Sequence, residues 1–225
     1  MSILYVLFPN TMDKIPQFLE SIVQTFQMVA LSGVISFIIG MVLGVVLTVT
    51  KNGNIMQNAV VNGILDKVIN IFRSIPFVIL LTALLPLTRA LVGTAIGTKG
   101  AIIPLIFGTV PFFSRQIEAA LAELDGGLIE AAQSMGDSPW EITFKVYLRE
   151  SIPSIVRGTT ITTISLIGLT AMAGAIGGGG LGNFAIMWGH QRQQTDCTYA
   201  AMIVILALVF AVQAIGNLII KKTTH

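Results

Sequence analysis

The chain has 225 residues, of which 54% are hydrophobic and 11% charged, with a formal net charge of +2. An ordinary soluble domain carries about 25% charged residues, so this composition excludes a soluble protein and describes one embedded in lipid. One cysteine, Cys197, and two distant histidines, His190 and His225, provide neither an internal disulfide nor a metal-ligand set.

A helix crossing a bilayer needs ~20 apolar residues, and the chain offers several uncharged runs. Met1 to Pro9 lacks a basic leader and a small-residue cleavage site, so it reads as a short extracytoplasmic lead-in. Ser21 to Thr50 is the first span. It carries small residues at four-residue steps, Ser32, Ser36, Gly40, Gly44 and Thr48, which let helix backbones approach closely. Packing within one chain is the plainer reading of that stripe, ahead of a dimer seam.

Ser74 to Thr88 and Gly100 to Ser114 are fifteen residues each, short of the usual ~17–25. They count as spans because two such runs left in a watery loop would expose large apolar patches. Pro76, Pro86, Pro104 and Pro111 are expected to kink them. Arg73 and Arg115 are expected at the span ends, where long side chains reach headgroups. Gly158 to Gln191 and Cys197 to Ile220 complete five spans in an all-α membrane protein.

Basic residues of short loops stay cytoplasmic. With five spans, Lys51, Lys67, Arg73, Arg115, Lys145, Arg149, Arg157, Lys221 and Lys222 share one side, and Lys14, Arg89, Lys99 and Arg192 the other. The amino terminus is therefore expected outside and the carboxyl terminus inside. A three-span arrangement would place the termini the same way.

Gly177, Gly178, Gly179, Gly180 and Gly182, with Gly174 just before them, form the densest glycine cluster. Its match to G-x-G-x-x-G is accidental, because the dinucleotide fingerprint follows a strand and here a membrane helix precedes. Asn183 stands where a phosphate-binding loop requires lysine. The cluster reads instead as a broken or flexible helix end, either lining a cavity or forming a simple loop. Just before it lie Ser165, Thr170 and Met172, the last a large thioether among Ala171, Ala173, Gly174 and Ala175. Met172 is a candidate plug for a pathway; filling a gap in the bundle is the plainer reading.

A polar insert, residues 128–153, interrupts the apolar runs. Asp125-Gly126-Gly127 is expected to end the preceding helix. Leu128 to Met135 forms a short helix with Leu128, Ala131, Ala132 and Met135 on one face, stopped by Gly136 as a left-handed cap. Ser138 caps a second helix, with Pro139 at its first position and Glu141 placed for a capping box. An apolar stripe on such a helix suits a partner's groove. Resting on anionic lipid suits it less, since Glu130, Asp137 and Glu141 would be repelled.

Glu130-Ala131-Ala132 followed by Gly136 resembles the EAA loop of permease subunits of ATP-binding-cassette (ABC) importers. Where the family pattern ends in Leu-Pro, Leu148 is followed here by Arg149, with Pro153 four residues later. Arg73-Ser74-Ile75-Pro76-Phe77, Ser165-Leu166-Ile167-Gly168, Ala171 to Ala175 and Gly177 to Gly182 are similar to one subfamily, the methionine-type permeases.

The resemblance covers nearly the whole chain and implies a single permease domain, 1–225, in a bacterial inner membrane. It implies two copies of the chain, two separate ATPase subunits carrying ATP and Mg, an extracytoplasmic binding protein, and L-methionine with its D form as cargo. The chain itself is implied to bind no cofactor and no nucleic acid. Glu130, Ala131, Ala132, Met135 and Gly136 are implied to meet the ATPase, and Met172 to face the pathway with Ser165. Importers of another hydrophobic amino acid or a short peptide remain as alternatives, as does a passive channel or scaffold. A membrane-embedded enzyme would need a nucleophile with a base, or metal ligands, at membrane depth, and a proton- or sodium-driven carrier would need ionisable groups at mid-depth.

Overall fold

A computed structural model describes residues 3–223, among which all regular structure is helical. His225 and the first two residues of the lead-in, Met1 and Ser2, lie outside the described residues. The rest of the lead-in is short helix: α1 (Ile3–Leu7) and α2 (Pro9–Met12). Four helical stretches are long and apolar enough to cross a membrane: Ile15–Val49, Gly97–Ala122, Ile152–Gly178 and Thr195–Thr223. They comprise α3 (Ile15–Val49), α7 (Gly97–Ala122), α11 (Ile152–Ala173) with the turn after it, and α13 (Thr195–Thr223).

The expected span Ser74 to Thr88 is not one helix. The chain forms α4 (Ala59–Ser74), breaks at Ile75-Pro76, and resumes as α5 (Phe77–Ala83) and α6 (Leu85–Val92). Ile75 is extended, with φ −84° and ψ 122°, because a following proline disfavours helical backbone. Asn58 caps α4 by accepting from the Val60 and Val61 amides at 3.2 and 3.1 Å. Charge hid α4 in the sequence, since Asp66 and Lys67 interrupt its apolar pattern. Two of its polar side chains turn to the protein, Asn62 donating to the Leu47 carbonyl at 2.7 Å and Asp66 pairing with Arg115, while Lys67 and Arg73 are exposed. Val60, Ile64, Val68 and Ile71 are left exposed, the pattern of a helix whose apolar side meets lipid.

Arg115 likewise departs from expectation. It lies within α7, seven residues before the helix ends, and pairs with Asp66 and, at 2.6 Å, with Glu118. Asn70 accepts a further bond at 3.0 Å. These neighbours take the Nη1 and Nη2 donors of a half-buried guanidinium and hold it against the protein rather than among headgroups, while Nε meets no acceptor among the described residues. Pro104 and Pro111 sit inside α7 without breaking it.

The described residues group into two compact units: residues up to 34 with 76–106 and 163–212, and residues 35–75 with 107–162 and 213–223. In the first, Met28, Leu81, Ala101, Leu105, Leu166 and Ala173 form one core, and Leu181, Phe184, Cys197 and Ala201 another. Asp196 joins α2 to the start of α13, accepting the Thr11 amide at 3.0 Å and the Asn10 side chain at 2.9 Å. Trp188 has the Arg192 guanidinium 3.9 Å and the Lys14 ammonium 5.0 Å from its ring centre, an arrangement the ring quadrupole favours.

In the second unit Phe113, Ile117, Leu121, Ala132, Ile142 and Tyr147 form the core. The small-residue stripe serves this packing. A Cβ on Gly44 would lie 2.5 Å from Ile117 Cβ and one on Gly40 2.8 Å from Phe113 Cδ1, so α3 and α7 touch only because both positions are glycine.

Candidate functional site

The polar insert folds as a short helix, a turn and a second helix, all within the second unit. Asp125 caps α8 (Gly126–Ser134) by accepting the Gly127 amide at 2.9 Å. Gly126 and Gly127 therefore open this helix rather than forming a turn before it. Met135 ends it, and Gly136 takes φ +89°, a left-handed conformation that glycine adopts without steric cost. The Asp137 amide reaches back to the Ala132 carbonyl at 3.1 Å.

Ser138 and Glu141 form the expected capping box: Ser138 Oγ accepts the Glu141 amide at 3.4 Å, and Glu141 Oε2 accepts the Ser138 amide at 3.0 Å. The helix begins as α9 (Pro139–Glu141), widens to π-type winding over Ile142–Tyr147 and closes as α10 (Leu148–Glu150). Lys145 meets Glu141 at 2.8 Å. Lys145 first, then Ser138, holds the Glu141 carboxyl down to about 2.

The four residues expected to share one exposed apolar face divide. Ala132 is 2% exposed and packed in the core, with half-buried Ile129 against the same cluster. Leu128 is 47% and Met135 76% exposed, and Glu130 and Ala131 are exposed as well. Ala132 thus seats α8 on its own chain: it lies at the edge of the i, i+3, i+4 stripe nearest Ile129, and the core takes that edge. Tyr147 anchors the segment from beneath: its hydroxyl donates to Asn54 Oδ1 at 2.8 Å, and Asn54 donates to the Thr48 carbonyl at 2.9 Å. Nothing in the hydrophobic periodicity pointed to Asn54 or Tyr147.

The second place is in the first unit. Along α11, half-buried Ser165 and exposed Met172 lie seven residues apart, on one side of the helix. Met172 is 41% exposed; Ile176, 46% exposed, lies past the end of α11, where the backbone has left the helix. Thr170 is buried and bonded to the Ile167 carbonyl at 2.7 Å, and so faces away. Beyond Ala173 the helix widens over Gly174–Gly178 and breaks, with Gly177, Gly179 and Gly180 at φ +93°, +79° and +74°. A new helix, α12 (Gly180–Phe184), then begins and continues as π-type winding through Ala185–His190. His190 lines an open cleft of about 670 Å³ with Ile186, Gln193, Thr198 and Tyr199.

Comparison with known proteins fits this layout. The chain is 44% identical over 202 residues to the probable D-methionine transport system permease protein MetI of Vibrio cholerae, covering 90% of each. It is 50% identical over 167 residues to the methionine import system permease protein MetP of Bacillus subtilis, covering 74% of this chain and 75% of that one. Its fold matches a chain of the inward-facing MetNI methionine ABC transporter with TM-score 0.88 and 42% identity, covering 90% and 94%. Residues 36–225 match the family of binding-protein-dependent transport system inner membrane components, and the chain belongs to that family.

Proposed function

We propose that the chain is the membrane permease of an ATP-driven importer for methionine, in its L form with D-methionine as the related cargo. The observation that carries the reading is the 44% identity to a methionine-system permease across 90% of both chains. The family match crosses both compact units, which supports one permease domain rather than two. The working complex holds two copies of the chain in a bacterial inner membrane, two ATPase subunits inside and a binding protein outside. ATP and Mg belong to the ATPases, and this chain is not catalytic.

Five crossings remain the preferred count, with the second made by α4 and α5 together, kinked at Pro76. The exposed apolar row Val60, Ile64, Val68 and Ile71 supports this, and Asp66 finds its counter-charge in Arg115, while Lys67 and Arg73 stay exposed. The amino terminus lies outside and the carboxyl terminus inside: with Lys67, Arg73 and Arg115 set aside as residues of the crossings, Lys51, Lys145, Arg149, Arg157, Lys221 and Lys222 still outnumber Lys14, Arg89, Lys99 and Arg192.

Within that frame the helix pair of residues 126–150 is the coupling element. Leu128, Ala131 and Met135, with Glu130 beside them, offer the exposed surface that an ATPase groove covers. Gly136 and the capping box set the angle between the two helices, so closure of the ATPases is passed on as a rigid push. The spans then rock between inward- and outward-open states, with Met172 and Ser165 on the pathway. The test is co-purification with the ATPase and binding protein, followed by ATP turnover in nanodiscs. Stimulation by the methionine-loaded binding protein is expected; a permease that brings down no ATPase contradicts the proposal.

A further inference from the structure

The helix that starts after the glycine break has no cap of its own. Its N-cap residue is Gly179, which has no side chain, and no side-chain cap comes from its own turn. A helix start leaves its first amides without intrahelical partners, and within a membrane protein little water is present to take them. Here they are satisfied from α3. Gln24 Oε1 accepts the Gly180 amide at 2.7 Å and Thr25 Oγ1 accepts the Leu181 amide at 2.9 Å.

Each acceptor is held in place by a second bond. The Thr25 hydroxyl donates its own proton to the Ser21 carbonyl at 3.0 Å, which turns its lone pairs toward Leu181. Gln24 Nε2 donates to Glu20 Oε1 at 2.9 Å. That bond sets the amide: reversed, it would oppose two donors at Gly180 and two acceptors at Glu20. The glycines make room for this arrangement. A Cβ on Gly180 would lie 2.7 Å from both Met28 Cε and Thr25 Oγ1, and one on Gly179 2.7 Å from Gln24 Oε1. A Cβ on Gly174 would lie 2.6 Å from the Asn183 nitrogen, so α11 and α12 meet at the corner backbone to backbone.

We infer that Gln24, oriented by Glu20, and Thr25 are positioning residues for transport: a helix cap lent by α3 that fixes the glycine corner and, two residues before Gly174, Met172. The inference rests on the permease reading above. A corner without its cap leaves Met172 free to change register, and ATP hydrolysis then proceeds without productive transfer.

The test uses the complete complex in nanodiscs and proteoliposomes. Gln24→Leu and Thr25→Val remove the acceptors, and Thr25→Ser keeps the hydroxyl. Amide hydrogen exchange at Gly180 for Gln24→Leu, and at Leu181 for Thr25→Val, is expected to quicken about 5- to 10-fold, the equivalent of one lost hydrogen bond. Labelled L-methionine taken up per ATP hydrolysed is expected to fall severalfold in both and to recover with Thr25→Ser. Unchanged exchange, faster exchange with intact uptake per ATP, or no recovery with serine would each overturn the assignment.

Glu20→Ala leaves both acceptors in place and covers the case in which the other variants do not assemble. It is expected to quicken exchange at Gly180 and not at Leu181; equal effects at both, or none, would contradict the orienting role. A wild-type complex that takes up no methionine would refute the cargo reading. Exchange together with basal ATP turnover, expected to rise severalfold in the uncapped variants and to stay level if the cap is idle, would still decide the inference.

Discussion

Met135 and Ala132 sit three residues apart in the same motif, yet the structure gives them opposite fates on substitution. Full burial of a methionine side chain contributes about 1.5–3 kcal/mol. Met135 is 76% exposed, so a docking groove stands to gain about 1–2 kcal/mol by covering it. Met135→Ser should therefore weaken ATPase association roughly 5- to 30-fold and leave the melting temperature of the isolated permease unchanged. Ala132 is 2% exposed in the core that holds Phe113, Ile142 and Tyr147. Ala132→Leu overfills that core at a cost of about 1–3 kcal/mol and should lower the permease's melting temperature before any ATPase is added. The assay is a titration of ATPase subunit onto permease in nanodiscs, with thermal unfolding of the permease alone in detergent. Equal ATPase affinity for Met135→Ser and wild type, or a fully stable Ala132→Leu permease, would refute the division of the motif into a docking side and a seating side.

Other expectations follow from single contacts. Gly44→Ala places a Cβ 2.5 Å from Ile117 Cβ and should cost about 1–3 kcal/mol of stability. Gly63→Ala, in a helix with nothing within 4 Å, should gain up to ~1 kcal/mol; thermal melts of the two variants check the contrast. Gly136 has open space around it but φ +89°. Gly136→Ala therefore meets only a backbone penalty of about 1–2 kcal/mol, read as reduced ATP turnover stimulated by the binding protein while the permease still inserts. The Glu141 carboxyl, lowered to about 2 by Lys145 and Ser138, supports the capping box above the ordinary carboxylate range of about 4 and loses that support as pH falls through about 2. The protection of the Ser138 amide relative to an unstructured one should hold at about pH 4 and fall below it, and Glu141→Gln should abolish that pH dependence.

The composition and the long uncharged runs made the all-helical membrane class legible, and local turn chemistry made the insert legible to single residues. Ser138, Pro139, Glu141 and Gly136 act through neighbours within a few positions, so the chain order alone displays them. What stayed hidden depends on partners far away in sequence. Asp66 and Arg115 look like loop charges until each meets the other across 49 positions. Gln24 and Thr25 look like ordinary polar residues of a span until Gly180 and Leu181 arrive against them, 156 positions later. The stripe assigned to α8 lost one member for a related reason: periodicity names residues that share a face, while the core beneath took Ala132 with Ile129 and left Leu128, Ala131 and Met135 outside.

Whether this permease carries methionine is read from uptake of labelled L-methionine by proteoliposomes holding the complete complex. Uptake is expected to require internal ATP and the external binding protein, to be lost without the ATPase subunit, and to be competed by unlabelled L- and D-methionine. Uptake independent of ATP, or a complex that hydrolyses ATP with its binding protein present but admits another amino acid and not methionine, would contradict that expectation.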